Sequence, residues 1–566
     1  MKKSLAGLDP ASSPGYGVTW GGPPRAAGRA LTVFAAAAVV AGLAGPAAAA
    51  TLPASSADVV SVIVRETPGS GNGPERTVVG LGGKVEQQLG IINGFEATVP
   101  ADRLGVLRYA PGVLEVVENA SMSLSSAEVD QQVGLNGSMR RVTHEMTGAA
   151  AMWDAGYTGA GVDVAVIDSG VVPVEGLKTA GKLAQGTDLS FEANKYDLRG
   201  RVTKSPLYGL DTYGHGTHMA GIIAGRDSDA PAEVTSANSG SFVGVAPDAR
   251  IVSVKVADGY GRTDVSQLIA GIDWVIQNRQ ANGLDIKVLN LSVGTDGVQS
   301  YLLDPLSYAV EQAWHAGIVV VVSGGNTGNG SAKLDNPAYN PFVIAVGGSD
   351  GRGTATTDDD VVPTWSATGD GTRNPDVVAP GQSIVSLRVP GSNLDAKNAG
   401  ARTGERFFRG TGTSQSAAVV SGAAALLLEQ RPDLTPDQVK TLLMGTAREL
   451  PATDAVAQGE GLVDLAAAKD APTPAAVQAW ERSTGTGSID KARGTARVVD
   501  QYGKALTGEV DFSGRTWNSQ AFAQGIRNAV QQGDLKGLSW NGLSWNGLSW
   551  NGLSWNGLSW NGLSWG

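Results

Sequence analysis

The sequence predicts an α/β protein built on a parallel sheet with helices on both faces, preceded by a smaller α/β unit. Between residues 147 and 468, short apolar runs bounded by Gly, Asp or Asn alternate with stretches of helical spacing. Strands that are apolar throughout are typical of a sheet covered on both faces, and alternation with helices predicts parallel strands joined by crossovers. In such folds functional groups collect at the carboxyl ends of the strands.

Individual elements of this sheet follow from period and length. The apolar runs predict strands, and the stretches with helical spacing between them predict helices. The predicted strands are 162–167, 250–256, 287–291, 318–322 and 342–346. The predicted helices are 218–223, 265–278 and 306–316.

Residues 1–50 are expected to form a leader. Lys2, Lys3, Arg25 and Arg29 precede a short apolar run that ends in Pro-Ala-Ala-Ala-Ala. This order of charge, apolar run and small residues predicts a secretory signal, and the run is short for a membrane span. A retained membrane anchor is the alternative.

A small α/β unit and a connecting stretch follow the leader. Within residues 51–120, strand-like alternation occurs at 58–65, 94–99 and 112–118, and helical spacing occurs at 101–109. Residues 121–146 are polar, lack a sustained period and contain Arg140 and Arg141. We therefore expect residues 121–146 to be a linker that can be cut during processing.

Composition restricts the compartment and the partners. The 566 residues carry a net charge of -11 and include no cysteine. The lack of cysteine excludes disulfides and thiolate metal sites, and the acidic balance without a long basic run argues against a nucleic-acid partner. The length predicts two or more folded units.

Two segments follow the predicted sheet. Residues 469–536 form a polar extension with one strand-like patch near 496–499, and residues 537–566 hold six copies of Gly-Leu-Ser-Trp spaced by Asn. A period of five fits neither a helix nor a strand, so we expect disorder with exposed indoles that attach the chain to a cell envelope. A pentapeptide β-solenoid and a repeat without a role are the alternatives.

The chemistry is expected around Ser414. A glycine turn brings this serine to the start of a small-residue and apolar run that predicts a buried helix. There the hydroxyl lies among unpaired N–H groups at the positive end of the helix dipole, which suits a nucleophile attacking a carbonyl. A helix N-cap is the alternative for a serine considered alone.

Two further loops supply a base and a carboxylate. Asp168 ends a predicted buried strand, and His215 lies between two glycines at the start of a predicted helix. Taken singly, Asp168 could be a turn residue and His215 a core histidine. The order Asp, His, Ser in these three contexts favours a catalytic triad.

With these flanks, residues 147–468 resemble the subtilisin-like serine proteases, and residues 51–120 resemble their inhibitor propeptides. The resemblance implies a subtilisin-like parallel sheet in which Ser414 is the nucleophile, His215 the general base and then acid, and Asp168 the carboxylate that orients the imidazole. It also implies that Asn326 donates a hydrogen bond to the oxyanion. The implied protein is a secreted endopeptidase made as a zymogen.

The resemblance further implies a groove for an extended peptide, which binds as an added strand. The backbone segments matching the family's groove are Ser292, Val293, Gly294 and Gly259, Tyr260, Gly261. Asn340-Pro341 falls where the family often has a cis proline. After the nucleophile the chain reads Gln415-Ser416-Ala417-Ala418-Val419 where the family usually reads Met-Ala-Ala-Pro-His, and this departure deletes no group with a chemical role.

No cofactor is expected for this chemistry. His215 and His218 lack the glutamate and the third ligand that a zinc site would need. The family often binds calcium and an acidic loop exists at residues 358–360, so structural calcium stays open with no ligand assigned.

The expected partners are polypeptide substrates, the chain's own propeptide as an intramolecular inhibitor, and a cell envelope at the tail. A catalytically silent binding protein that uses the groove or the Trp-rich tail is the alternative function. Esterase or transpeptidase action by the same residues is a third.

Overall fold

The computed structural model describes residues 59–67, 69–89, 94–118, 137–196, 202–328, 333–354, 356–498 and 504–531. The predictions for the leader 1–50 and for the tail 537–566 therefore lie outside the described residues. Within the described part of the chain, no helix has the length and apolar character needed to cross a membrane.

An antiparallel sheet forms the N-terminal unit. Its elements are β1 (Val59–Glu66), α1 (Gly73–Gly80), β2 (Lys84–Leu89), β3 (Gly94–Pro100), α2 (Leu104–Arg108) and β4 (Val113–Glu118). The strand order is β2-β3-β1-β4. Alternate residues such as Val62 and Val64 point inward and pack with Phe95 and Leu107. The three predicted strands and the helix near 101–109 are confirmed, whereas α1 and β2 were not predicted.

The larger part of the chain is built on a parallel sheet. The strands of this part of the chain are β5 (Asp163–Asp168), β6 (Leu183–Asp188), β7 (Asn194–Tyr196), β8 (Val202–Lys204), β9 (Arg250–Lys255), β10 (Ile286–Leu291), β11 (Val319–Ser323), β12 (Ile344–Ser349), β13 (Val377–Pro380), β14 (Ile384–Leu387), β15 (Arg402–Thr403) and β16 (Phe407–Gly410). Strands β7 and β8 form one small antiparallel sheet, and β14, β16 and β15 form another. Among the described residues, the main sheet has the order β13-β12-β11-β10-β5-β9-β6, and its pairs are parallel.

Helices cover this sheet. They are α3 (Met139–Arg141), α4 (Ala149–Asp154), α5 (His215–Ala224), α6 (Val265–Asn278), α7 (Pro305–His315), α8 (Asn393–Lys397), α9 (Thr413–Gln430), α10 (Pro436–Gly445), α11 (Ala455–Gln458), α12 (Leu465–Asp470), α13 (Ile489–Arg493) and α14 (Ser519–Gln531). Helix α5 packs against α9, and α6 packs against α7.

Residues of β5 show that both faces are covered. Neighbouring side chains of a strand point to opposite faces. The Asp168 side chain lies beside Gly216 of α5, and the Ile167 side chain lies beside Gly271 of α6. All six residues of β5 are buried. The predicted parallel sheet with helices on both faces is therefore confirmed.

The predicted elements differ from the observed ones mainly at their ends. All five predicted strands are present, with ends that move by at most three residues, and the helix predicted at 218–223 begins three residues earlier, at His215. Strand β6 was not predicted because its sequence Leu-Ala-Gln-Gly-Thr-Asp is a partly exposed edge strand without an apolar run. Strand β13 was not predicted either, because it has only four residues.

The end of the predicted linker is folded, which corrects that prediction for residues 137–146. Met139, Val142 and Met146 are buried, and the first two belong to the main core. The Val385 backbone N–H donates to the Gly137 carbonyl at 2.8 Å, and a buried Arg141 guanidinium donates to the Gly351 carbonyl at 3.0 Å. Polar residues such as Arg141 concealed this docking, because in sequence they resemble a solvated linker.

The extension after residue 468 is also packed on the sheet domain. Arg493 is buried, and its Nε donates to Asp264 Oδ2, at the N-terminus of α6, over 2.6 Å. Tyr308 of α7 packs edge-on against Phe522 of α14, and its hydroxyl donates to the Ala523 carbonyl at 3.2 Å. The strand predicted near 496–499 is not seen in the described residues 496–498.

Candidate active site

A buried pair of side chains connects the end of β5 to the start of α5. Asp168 is the last residue of β5, and His215 is the first residue of α5. His215 Nδ1 lies 2.9 Å from both carboxylate oxygens of Asp168. A Cβ atom on Gly216 would overlap the Gly170 carbonyl oxygen and lie 3.1 Å from Asp168 Cβ, so the glycine after His215 permits this approach.

A second carboxylate supports the pair. Ser169 Oγ lies 3.1 Å from Asp168 Oδ1 and 2.8 Å from Asp211 Oδ1, and it accepts the Gly216 backbone N–H at 3.0 Å. Asp211 also accepts the N–H groups of Gly214 at 2.6 Å and Thr217 at 2.8 Å, so it caps the first turn of α5. These bonds hold the helix that carries His215 against the strand that carries Asp168.

Burial and charge act in opposite directions on His215. Burial by itself lowers the pKa of the imidazole, but the adjacent Asp168 carboxylate outweighs it, and the net pKa is raised above its ordinary value. His215 Nε2 is buried and has no hydrogen-bond partner among the described residues. The imidazole is therefore anchored through Nδ1 and has Nε2 available.

Ser414 is the second residue of α9, and the N-cap position belongs to Gly412, which has no side chain to cap the helix. The interpretation of Ser414 as an N-cap is therefore wrong. Ser414 Oγ lies 3.3 Å from the Ser292 carbonyl, and Ser292 Oγ donates to the Ser414 carbonyl at 3.2 Å. These contacts join the start of α9 to the segment after β10.

The side-chain amide of Asn326 is oriented by Thr413. Asn326 Oδ1 accepts the Thr413 backbone N–H at 2.9 Å and the Thr413 hydroxyl at 3.1 Å, and that hydroxyl accepts the Gly325 N–H at 3.2 Å. Because the oxygen faces these donors, the amide nitrogen must point the other way. Nδ2 is buried without a partner among the described residues, so one strong donor remains unused beside Ser414.

The two segments expected to bind an extended peptide differ in the availability of their donors. The backbone N–H groups of Gly259, Tyr260 and Gly261 already donate to Glu192 Oε1, Asp258 Oδ1 and the Asp258 carbonyl, each at 2.9 Å. This segment could pair with a peptide only through its carbonyl oxygens. The other segment, Ser292, Val293 and Gly294, continues β10 past the carboxyl edge of the sheet.

His218 lies one helical turn beyond His215 and is buried. Burial, helped by the nearby His215, lowers the pKa of His218 to about 3, so the ring is neutral at physiological pH. Among the described residues, no group of three or more His, Asp or Glu side chains lies close enough to hold a metal ion.

The position expected for a cis proline is wrong. The cis peptide bond found in the described residues joins Asn336 to Pro337, not Asn340 to Pro341. Both dipeptides read Asn-Pro, so sequence alone did not distinguish them. Thr413, Ser169 and Asp211 lie within the sequence motifs that suggested the site, but their roles depend on contacts that only the folded chain shows.

Comparison with known proteins gives a family match. The model of the subtilase family matches residues 159–487, more than half of the chain. Serine protease AprX of Bacillus subtilis is 37% identical over 313 residues, which cover 54% of this chain and 66% of that protein.

Minor extracellular protease Epr of the same organism is 28% identical over 429 residues, which cover 74% of this chain and 57% of that protein. The chain thus spans less than two thirds of these relatives' length. Among solved structures, fervidolysin from Fervidobacterium pennivorans, a keratinolytic enzyme related to subtilisin, aligns with a TM-score of 0.46 and 24% identity, over 75% of this chain and 63% of that one.

The buried pair predicts a histidine titration. In protein labelled with ¹³C-histidine, which has only four histidines, we expect His215 to titrate above its ordinary pKa of 6.5. In Asp168→Asn the midpoint should fall below 6.5, because burial then acts without the carboxylate. The internal control is His218, which should stay neutral above about pH 4 in both proteins. An unchanged His215 midpoint in Asp168→Asn would contradict the pairing.

Proposed function

The chain belongs to the subtilase family of serine endopeptidases, and from this premise we propose that it hydrolyses peptide bonds with Ser414, His215 and Asp168. The observation that carries the proposal is the pairing of a fully buried Asp168 with Nδ1 of His215, which leaves Nε2 available. A histidine held in this tautomer can take a proton from a serine and later donate it to a leaving amine.

In the first step, Ser414 Oγ attacks the carbonyl carbon of the substrate while its proton passes to His215 Nε2. In the structure this hydroxyl lies near the Ser292 carbonyl, so it must rotate away from that acceptor to reach the imidazole. The imidazolium that forms is stabilised by the Asp168 carboxylate. Protonation of the departing amine completes an acyl-enzyme, which water then hydrolyses by the same steps.

The negative charge that develops on the carbonyl oxygen needs donors that are already in place. Asn326 Nδ2 is such a donor, because Thr413 fixes the amide through its oxygen. The positive end of the α9 dipole favours negative charge at the same place. A preformed donor costs no reorganisation when the charge appears, which is why such groups have large effects on kcat.

Substitutions at Ser414 and Asn326 test the mechanism. Ser414→Ala should abolish peptide cleavage and labelling by a fluorophosphonate probe. Asn326→Ala should keep a similar KM and lose about 10²–10³ in kcat. Thr413→Val should lower kcat by releasing Asn326, and Thr413→Ser, which keeps the hydroxyl, is the matched control. Wild-type cleavage by the Ser414→Ala protein would overturn the proposal.

We further propose that the protein is secreted as a precursor in which residues 59–118 act as a folding helper and then as an inhibitor. The support is the independent core of this small sheet and its position ahead of the sheet domain. Because residues from 137 onward are folded into the domain, the cut is expected between residues 119 and 136. Parallel sheets close long loops before they gain contacts, so a preformed partner can speed folding.

Refolding tests the helper role. Residues 137–531 carrying Ser414→Ala, which prevents self-digestion, should recover native fluorescence faster after dilution from denaturant when residues 59–118 are added. A variant of the helper with Phe95→Ala, which empties its core, is the control and should give no acceleration. Equal rates with and without the native helper would exclude this role.

The proposed location is outside the cell, with attachment through residues 537–566. Support comes from the leader and from the name of one relative, an extracellular protease. Indoles stack on sugars and settle at membrane interfaces, so cell-wall glycan is the first candidate, envelope lipid the second and self-association the third.

Truncation tests the tail. A chain that ends at Lys536 should keep full peptidase activity and lose retention on cell-envelope material, since the indole repeats would be gone. The control is the full-length chain with Trp→Ala changes in all six repeats, which should also be released. Equal retention of the truncated and intact chains would leave the tail without this role.

A further inference from the structure

Two glycine-containing segments border the place where the substrate's scissile bond must lie. One is residues 292–294 after β10, whose Ser292 contacts Ser414, and the other is residues 324–326 after β11, which ends in Asn326. Strands β10 and β11 are parallel neighbours, so both segments leave the same edge of the sheet. The side chain of the substrate residue that supplies the scissile carbonyl, called P1, must therefore enter between them.

Asp335 packs against both segments. Its backbone N–H donates to the Gly324 carbonyl at 3.0 Å. A Cβ atom on Gly325 would lie 2.7 Å from the Asp335 carboxyl carbon, and one on Gly294 would lie 2.7 Å from Asp335 Cβ. Only residues without a side chain at 294 and 325 leave room for this carboxylate beside Asn326.

Asp335 is half-buried, and its carboxylate lacks the compensation that the buried carboxylate of Asp304 receives. Asp304, for comparison, accepts the backbone N–H groups of Leu306 at 2.9 Å and Ser307 at 3.0 Å. Within the described parts of the chain, no hydrogen bond or ion pair reaches the carboxylate of Asp335. Burial and, to a smaller extent, the neighbouring carboxylate of Asp296 raise the pKa of Asp335 to about 7.

A carboxylate in this position is costly unless a cation joins it, because burial without a partner disfavours the charged form. The neighbouring Asp296 is also an acid, and its carboxylate accepts hydrogen bonds from the backbone N–H and the hydroxyl of Thr495, each at 2.6 Å. Since the described residues place no cation on this carboxylate, a substrate is the natural source of one. The side chains of lysine and arginine are long and carry their charge at the far end, so a P1 residue of either kind can bring a cation to the Asp335 carboxylate.

We propose that Asp335 selects substrates with arginine or lysine at P1, the residue whose carbonyl Ser414 attacks. This inference rests on the proposed peptidase function and names its substrate class. A basic P1 side chain forms an ion pair with Asp335 in a site sheltered from water. The competing role of Asp335 is steric, as a plug that admits only small P1 side chains, and charge and size can be separated by experiment.

The test compares peptides that differ only at P1, carrying arginine, lysine, citrulline, leucine or alanine. Citrulline has nearly the shape of arginine without its charge. We expect kcat/KM for arginine to exceed that for citrulline at least tenfold in the wild-type protein. Asp335→Asn, which keeps the size of the side chain, should reduce this ratio at least tenfold.

The control is Asp433→Asn, which changes an exposed carboxylate just beyond the far end of α9 and should leave the ratio unchanged.

In the wild type the arginine-to-citrulline ratio should rise with pH through about 7 as Asp335 ionises. The ratio cancels the titration of His215, which affects both substrates equally. Asp296 is the neighbouring carboxylate that raises the pKa of Asp335, so Asp296→Asn should lower the pH midpoint at which the arginine-to-citrulline ratio rises.

Three outcomes are distinguishable. Equal cleavage after arginine and citrulline would overturn the charge preference, even if Asp335→Asn fails to fold, since this comparison uses the wild type. A preference for alanine over all longer residues would assign the steric role to Asp335. No cleavage of any peptide, together with no labelling by a fluorophosphonate, would instead refute the proposed peptidase function.

Discussion

A carboxylate with no exposed surface imposes the strictest demand on the site. Asp168 lies at the end of a strand buried on both faces, where an unpaired charge would be strongly unfavourable. It is compensated by His215 and by the N–H and hydroxyl of Ser169. The same requirement brings in Asp211, which anchors Ser169 and the first turn of α5. The geometry proposed for catalysis is thus also the geometry that makes this buried charge tolerable.

Much of this arrangement is predictable from sequence, because the edge of a parallel sheet is defined by where apolar strands end. The runs before Asp168 and Asn326 marked both edge positions, and a small-residue helix marked Ser414. Their convergence follows from topology, since strands β5, β10 and β11 are neighbours. The fold class, the five main strands and the three main helices could therefore be predicted from the apolar runs and the helical spacing of the sequence.

The rest depends on contacts that no local pattern encodes. Asp335 lies in a loop whose sequence gives no sign that Gly325 of the same loop and Gly294 of another will pack against it. The docking of residues 137–146 and of Arg493 was concealed for a related reason, because polar side chains that look solvated in sequence are satisfied here by buried partners. The choice of Pro337 over Pro341 for the cis bond is likewise a tertiary property.

The segment that leads into the sheet domain and the extension that follows it are both tied to the core. The Gly137 carbonyl accepts a hydrogen bond from the Val385 N–H of β14. Arg493 forms a buried ion pair with Asp264, and removing one partner of such a pair costs about 3–5 kcal/mol of stability. Proteolysis starts where a backbone frays, and loose termini are the usual place. With the proposed peptidase activity, a chain that has no cysteine for disulfides meets the active site of another copy at every encounter between molecules. These two attachments therefore give the folded domain a means to resist digestion by its own copies.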